Sequence, residues 1–444
     1  MKLINRILLG TGCLVLLLIS WLIGMHSKST VDIQLELMEQ AARLTSDGIY
    51  IQAEPLLEEA AGYNTKYTPL AESELKKVYL SLINQRGYLR KYQALLEKQM
   101  NRKDADYSVY EEASLHYLSI NSVPEALNTL KEGISKTGSE TLRSIYESNR
   151  YIIETGHEVY DDAASIFDST VQVCADGAWG IADSSGVLII PCMYEQISTF
   201  NNNRAIAKKD GEIFAIDAAN NRIAKLHEPA LAFGNFSMDR ISLLIGDSWF
   251  RANGEFTIGN AAFEYIGMYS DGYAAAKTGG KWGVIDLAYN WLVPAEYDGI
   301  IQDELGRCCY GGAVFVRDGA SVRLLVNGQS AGDAYDDACP FAGGGSADSY
   351  AAVMKDGLWG FIDTRANVVI DFQFEDALSF GQHLAAVKLG DLWGYISVDG
   401  NIAIDPVYYE AKSFSNGSAP VLTSRGWQFI TLLEYKAGSS GLFS

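Results

Sequence analysis

Gly280-Lys281-Trp282-Gly283-Val284-Ile285-Asp286 decides how this chain is read, because it recurs. It returns as Gly357-Leu358-Trp359-Gly360-Phe361-Ile362-Asp363, as Asp391-Leu392-Trp393-Gly394-Tyr395-Ile396-Ser397 and as Gly177-Ala178-Trp179-Gly180-Ile181-Ala182-Asp183. Trp359 and Trp393 lie 34 residues apart, and the 103 residues from Trp179 to Trp282 are close to three such steps. Self-similarity at a fixed period of about 20–50 residues marks a repeat architecture.

Aligned on the tryptophan, the units fall at Trp179, Ile213, Asp247, Trp282, Ser321, Trp359, Trp393 and Trp427, spaced 34, 34, 35, 39, 38, 34 and 34. Eight units therefore fill residues 157–436. Four keep the Trp-Gly pair and Trp427-Gln428 keeps only the Trp; the second, third and fifth units are degenerate. Each unit reads as three short strands. The first is a small apolar alternation such as Ala385-Ala386-Val387-Lys388. The second runs through the Trp, placing Trp359 and Phe361 on one face and Gly360 and Ile362 on the other. Glycine there leaves room for close approach, which we assign to an aromatic ring of the adjoining unit. Asp183-Ser184-Ser185-Gly186 has the spacing of a type I turn, and a third strand such as Val187-Leu188-Ile189-Ile190-Pro191 follows. An aromatic-acid pair ends the unit: Tyr194-Glu195, Tyr297-Asp298, Phe374-Glu375, Tyr409-Glu410.

These motifs resemble the WG-repeat family, also called KWG repeats, found mainly in bacterial proteins. The resemblance covers the array and implies a β-rich repeat domain with a binding role. It implies no catalytic residues and no cofactor. The last unit lacks a clear third strand, and the first opens with an extra element, Tyr160-Asp161-Asp162. An N-terminal element completing the final unit would close a propeller and hide both edges, so a propeller-like ring is favoured over an open β-solenoid.

Upstream, residues 30–155 change to a period near 3.6. Three helix pairs are expected, with breaks at Asp47-Gly48, Gly62 to Thr65, Arg86-Gly87 and Asn121 to Pro124. Their second helices start near Tyr50, Tyr88 and Val123. Val123-x-x-Ala126-x-x-x-Leu130-x-x-Gly133 resembles a degenerate tetratricopeptide repeat, which implies a peptide-binding groove; a helical spacer is the plainer reading.

Residues 1–6 carry Lys2 and Arg6, and Ile7–Met25 is a 19-residue run without charge. It reads as a transmembrane anchor with the first six residues cytoplasmic and the bulk extracytoplasmic, a cleaved signal peptide being the rival. Residues 437–444 read as a flexible tail. The chain carries a net charge of −20 and a pI near 4.7. Such a surface repels phosphate backbones and argues against nucleic acid.

No constellation for chemistry stands out. The histidines are scattered and no metal is expected. Gly343-Gly344-Gly345-Ser346-Ala347 reads as a loop insertion and not a nucleophile elbow. Asp183, Asp286 and Asp363 could suggest calcium, but they hold turn positions. The Tyr-acid pairs could suggest a glycosidase, yet they recur once per unit, as structural positions do. Cys174 and Cys192 lie within one unit and could pair in an exported domain; reduced core residues are the alternative. Trp179, Gly180, Trp282, Gly283, Trp359, Gly360, Trp393, Gly394 and Trp427 are read as structural. Trp249, Trp291, Tyr269 and Tyr350, outside the repeat register, are the candidates for surface binding. The expectation is a multidomain, α plus all-β, membrane-anchored, non-catalytic scaffold for protein partners, the alternative being a cell-wall or carbohydrate-binding module.

Overall fold

In a computed structural model the described residues are 29–342 and 349–436. The expected anchor at 7–25, the glycine-rich insertion at 343–347 and the tail at 437–444 fall outside them. Two compact units emerge, one holding residues through Ser122 together with Thr129–Ser144, the other Val123–Asn128 with Ile145 onward.

The helices are α1 (Thr30–Ser46), α2 (Tyr50–Gly62), α3 (Thr68–Ser81), α4 (Tyr88–Met100), α5 (Tyr107–Ser119), α6 (Val123–Thr137) and α7 (Glu140–Asn149), all in the first unit save Val123–Asn128 of α6 and the end of α7 from Ile145. α2, α4 and α6 start where the periodicity places the second helix of each pair. Ser29 and Asp32 form a reciprocal capping box that starts α1, and Pro69 opens α3 where no donor is needed. Gly133 lets α6 lie against α5, because a Cβ there would stand 2.7 Å from Tyr110. Glu72 is fully buried between α3 and α4 and is satisfied by Gln99, Lys98 and Arg102.

No described helix is long and apolar enough to cross a membrane. The longest, α1, has 17 residues and carries charge on one side, whereas a span needs ~20 apolar residues. No described helix thus supports the expected single-pass anchor or the extracytoplasmic location drawn from it, and neither is carried further.

The β unit corrects the three-stranded reading. It holds eight antiparallel sheets with four strands in line, the fifth having one extra short strand, Cys309–Tyr310. In the sixth sheet the order is Asp337–Ala338, Ala351–Lys355, Leu358–Ile362 and Val368–Phe374. The missing strand is a two-residue one that directly follows the aromatic-acid pair, as in Gln196–Ile197, Gly299–Ile300 and Asp376–Ala377; in the eighth blade it is Glu410–Ala411, whose Glu410 reads in sequence as the acid of the pair. Two residues carry no periodicity, so the sequence pattern could not show them.

The sheets are the blades of a closed eight-bladed propeller. Ile153–Thr155 pairs with Ile430–Leu432 and supplies the outer strand that the last unit lacks. Tyr160 then bridges to Trp427. Closure thus comes from residues upstream of the anticipated Tyr160-Asp161-Asp162 element, and residues 145–155 belong to the β unit and not to the helical one. Both faces of each blade are buried: Trp359 and Phe361 pack toward the seventh blade, while Ile362 packs toward the fifth.

Glycine's role in the Trp-Gly pair also differs from the expectation. In the four Trp-Gly blades the strand partner of Trp is followed by a register shift. Trp393 faces Tyr408 while Tyr395 faces Ile404, so Asp405, Pro406 and Val407 arch over Gly394. A Cβ on Gly394 would stand 2.6 Å from the Ile404 carbonyl oxygen, and one on Gly360 2.8 Å from that of Ile370. The glycine admits the backbone of the blade's own outer strand, not a neighbour's ring. Where the glycine is replaced, the arch moves away: Phe214 pairs with Lys225, Phe250 with Ala262 and Arg323 with Ala334.

Register also corrects two alignments. Trp249 pairs with Leu244 as Trp282 pairs with Lys277, and Val322 pairs with Arg317 in the same way. The third and fifth units are therefore centred on Trp249 and Val322, and not on Asp247 and Ser321.

Candidate functional site: the propeller axis

The side chains that the repeat makes prominent are consumed in building blades. Trp359, Trp393 and Trp427 are buried, and Trp179 and Trp282 pack partly buried against blade cores. Each turn aspartate holds its own turn: Asp286 accepts from the backbone of Ala288 and Asn290 and from the Asn290 side chain. Asp363 does the same with Arg365 and Asn367. These hydrogen bonds hold both carboxyls below the ordinary aspartate range; at Asp363 they outweigh an opposing effect of burial. The acids that follow the aromatic residue cap the hairpin turn of the next blade. Asp161 accepts from the Asp176 N–H, Glu195 from that of Gly211, Glu264 from that of Gly280 and Asp298 from that of Gly319.

The four surface candidates scatter. Trp249 is the third blade's repeat tryptophan and packs edge-on against Tyr265. Tyr269 is 3% exposed and offers no surface. Tyr350 is partly buried and meets Phe380 edge-on. Trp291 is 39% exposed, with its ring also covering Gly283. Cys174, Cys192, Cys308, Cys309 and Cys339 are all free thiols. Burial pushes the Cys339 thiol up to about 12 and that of Cys309 up to about 11. Among the described residues no group of His, Cys, Asp and Glu is placed to hold a metal ion.

What the repeat does not explain lies on the axis. The short strands put one residue per blade in the same register, and in four consecutive blades it is an acid: Asp337, Asp376, Glu410 and, past the closure, Asp162. The fifth unit's extra length sits between Ile300 and Ala313 and forms a hairpin. Asp303 accepts from the backbone of Leu305 and Arg307, and Gly306 donates back to the Asp303 carbonyl. This is the blade turn of Asp183-Ser184-Ser185-Gly186, with Gly186 at φ 90° and Gly306 at φ 91°, moved to a new place.

The hairpin crosses the axis. Its Glu304 carboxylate accepts from the Ser165 N–H of the first blade and from Lys412 of the eighth. The Leu305 carbonyl accepts from Asn235 of the third blade, and the Gly306 carbonyl from the Met268 N–H of the fourth. Burial works against the Lys412 charge, but the carboxylates of Glu304 and Glu410 overcome it and raise its pKa.

The hairpin divides the axial space. One cavity, of about 460 Å³, lies among Asp162, Gln172, Gln196, Asn235 and Glu304. Its amide nitrogens point away from the space: Gln172 donates to the Ile197 carbonyl and to Asn235, and Gln196 to the Phe233 carbonyl. Another, of about 320 Å³, lies among Arg307, Asp376, Leu378, Trp393, Glu410 and Lys412. The repeat motifs named Trp393, Glu410 and Asp162 only as parts of their units, and no motif brought these residues together. The available signal was the 39-residue step and the Asp303-x-x-Gly306 turn outside the blade-turn register.

The comparisons agree with the repeat reading. A family model described as WG containing repeat matches residues 179–212, 260–282, 359–393 and 393–424. The chain therefore carries WG-containing repeats, and the match lies within the β unit; the tetratricopeptide likeness of the helices has no such support. No curated protein matches the chain. Kluyveromyces lactis Hsv2 is 11% identical, over 60% of this chain and 97% of that one, with a TM-score of 0.34. A structure described as the eukaryotic initiation factor is 11% identical, over 63% and 87%, with a TM-score of 0.40. The Myceliophteria thermophila Cps50 (Swd1) β-propeller domain is 9% identical, over 63% and 98%, with a TM-score of 0.33.

Proposed function

We propose that this protein is a non-catalytic scaffold whose propeller binds protein partners through its rim. The supporting observation is an apolar patch on the first blade. Val187, Leu188 and Ile189 are 55%, 46% and 40% exposed in succession, and Met193 follows on the same outer strand. Asn220 of the second blade donates to the Met193 sulfur, and Ile223 is exposed on that blade. Single exposed aliphatic residues are ordinary on a protein surface, whereas a contiguous run is the mark of a contact area. The groove of about 310 Å³ among Glu58, Tyr79, Lys91 and Lys98 offers a second surface, within the helical unit.

A photo-crosslinking residue at Leu188 tests the reading. A discrete cross-linked protein, lost both in Val187→Asp/Ile189→Asp and when the crosslinker is moved to Asp210, supports it. Equal capture from both positions, or none, overturns it.

A carbohydrate-binding reading has one observation in its favour. Trp291 is exposed beside Phe263, with ring centres 6.4 Å apart, and Tyr289 stacks on Phe263 from the neighbouring turn. Aromatic shelves of this kind stack on sugar faces. A panel of soluble glycans that leaves tryptophan fluorescence unchanged, in wild type and Trp291→Ala alike, would remove it.

A further inference from the structure

We infer that the axial cavity bounded by Arg307, Asp376 and Trp393 binds a small zwitterion of the free α-amino acid class. The inference is independent of the rim surface.

Two opposite groups line this cavity without a partner among the described residues, the outer edge of the Arg307 guanidinium and the Asp376 carboxylate, while the other charges around them are taken. Glu304 and Glu410 share Lys412. Asp337 holds Arg317, and Asp303 holds the inner edge of Arg307. Arg307 donates through Nε to Asp303 at 2.6 Å, and its own N–H binds the same carboxylate at 2.9 Å. That clamp fixes the guanidinium plane and leaves the terminal nitrogens without an acceptor among the described residues. Among the described residues Asp376 accepts the N–H of Ala377, at 2.9 Å, and no cation is in ion-pair contact with it. Burial and the nearby Asp337 carboxylate hold its carboxyl above the ordinary range, against the Ala377 hydrogen bond and the Lys388 charge on the neighbouring strand.

Arg307 and Asp376 cannot relieve each other, because each is held by a separate frame. Arg307 rides on the axial hairpin and Asp376 starts a strand of the seventh blade. A guanidinium edge and a carboxylate left without partners in a half-buried space are costly, so their persistence on two walls of one cavity needs a compensating group.

The space between them defines that group. Leu378, Trp393 and Ala411 form an apolar floor, and the volume of about 320 Å³ is at the small end for ligand cavities, which run ~300–1,000 Å³. A carboxylate matches the free fork of Arg307 in bidentate fashion. An ammonium matches Asp376, with the remaining acceptor capacity of Glu410 beside it. A short side chain lies on the Trp393 floor. An amine or a carboxylic acid alone would leave one wall uncompensated and bury it, so both are rejected.

The test uses the full chain and the twenty common L-amino acids singly, by calorimetry and thermal shift. At least one binds saturably with a Kd below about 1 mM, and its decarboxylated amine and deaminated acid bind at least about tenfold more weakly. Asp376→Asn, nearly isosteric, and Arg307→Lys, which keeps the charge but loses the fork, each weaken binding at least about tenfold. Should Arg307→Lys fail to fold, Asp376→Asn and Asp376→Glu carry the same comparison. No binding by any amino acid at about 10 mM overturns the assignment. So does an amine or an acid that binds as well as its parent, or undiminished binding in folded Asp376→Asn. Because Leu188 lies on the rim, cross-linking there is unaffected by either result.

Discussion

Glu304, carried by the fifth blade, accepts a 2.6 Å hydrogen bond from the Lys412 ammonium of the eighth. Blades three positions apart on a ring share no backbone pairing, so this contact ties the ring across its axis. Lys412 is 14% exposed and also lies over the Trp427 ring at 5.1 Å. Glu304 is 36% exposed, which weakens the pair through solvent screening.

Lys412→Met should lower stability by about 2 kcal/mol, because it leaves Glu304 and Glu410 facing each other. A double-mutant cycle with Glu304→Gln should return a coupling of about 1 kcal/mol. Denaturant titration of the four proteins measures both, and a coupling near zero would mean that the hairpin is held by its backbone contacts alone. The Lys412 pKa is raised, so the pair's contribution is complete below the ordinary lysine value of 10.5 and fades as pH climbs through the higher native one.

Gly394→Ala should cost about 2–3 kcal/mol, since the Ile404 carbonyl stands 2.6 Å from the new methyl and belongs to backbone. Gly177→Ala is the control. Its φ of 74° strains any L residue, but nothing lies within 4 Å, so about 1 kcal/mol is expected. Melting temperatures that rank the two the other way would remove the arch as the reason for the Trp-Gly pair.

The turn aspartates set the acid limit of the fold. Asp217, Asp286 and Asp363 have lowered pKa values. Their stabilisation is present above the ordinary aspartate value of ~3.9 and is lost as pH falls through the native values. Asn253 already holds the third blade's turn as an amide, accepting from Glu255 and Thr257. Asp286→Asn/Asp363→Asn should therefore fold and show a shallower loss of circular dichroism between about pH 4 and pH 2. An unchanged acid transition would place the titrating groups elsewhere.

Cys308, Cys309 and Cys339 should resist thiol reagents in the native state, because burial pushes their pKa values up and the thiolate is the reactive form. Peptide mapping after a brief pulse of iodoacetamide should find them unmodified, and fully modified in denaturant. Fast native labelling of Cys308 would contradict its packing beneath Ile300 and Val314.

Much of this architecture is legible in the sequence because repetition amplifies weak signals. One Trp-Gly pair means little, whereas four in register locate a strand and their spacing sets the unit length. The two-residue strands stayed hidden because alternation needs more than two positions to show. The arch over Gly394 stayed hidden because glycine reports close approach without saying of what. Ile153–Thr155 pairs with residues near the far end of the chain, a partner no local pattern names. Trp249 was misread because the alignment kept a 34-residue step from Ile213, whereas the register places Trp249 two residues further on. Asp303 to Gly306 has the spacing of a turn, but its place on the axis depends on four other blades and no local pattern shows it. Membrane insertion was inferred from composition alone, and no described helix supports it.

The arch over each glycine also bears on how such a chain can grow. It bends the outer strand, and in three of the four Trp-Gly blades Pro191, Pro294 or Pro406 removes a donor there. A tandem copy of one unit therefore arrives with its lateral edge already unfit to recruit another chain. Duplication then carries little risk of fibre formation, and sequence drift can follow at leisure, as in the second, third and fifth blades. What a copy cannot bring is the latch, since Ile153–Thr155 lies outside every unit. A chain may thus gain or lose units without becoming sticky, provided that the seam still meets.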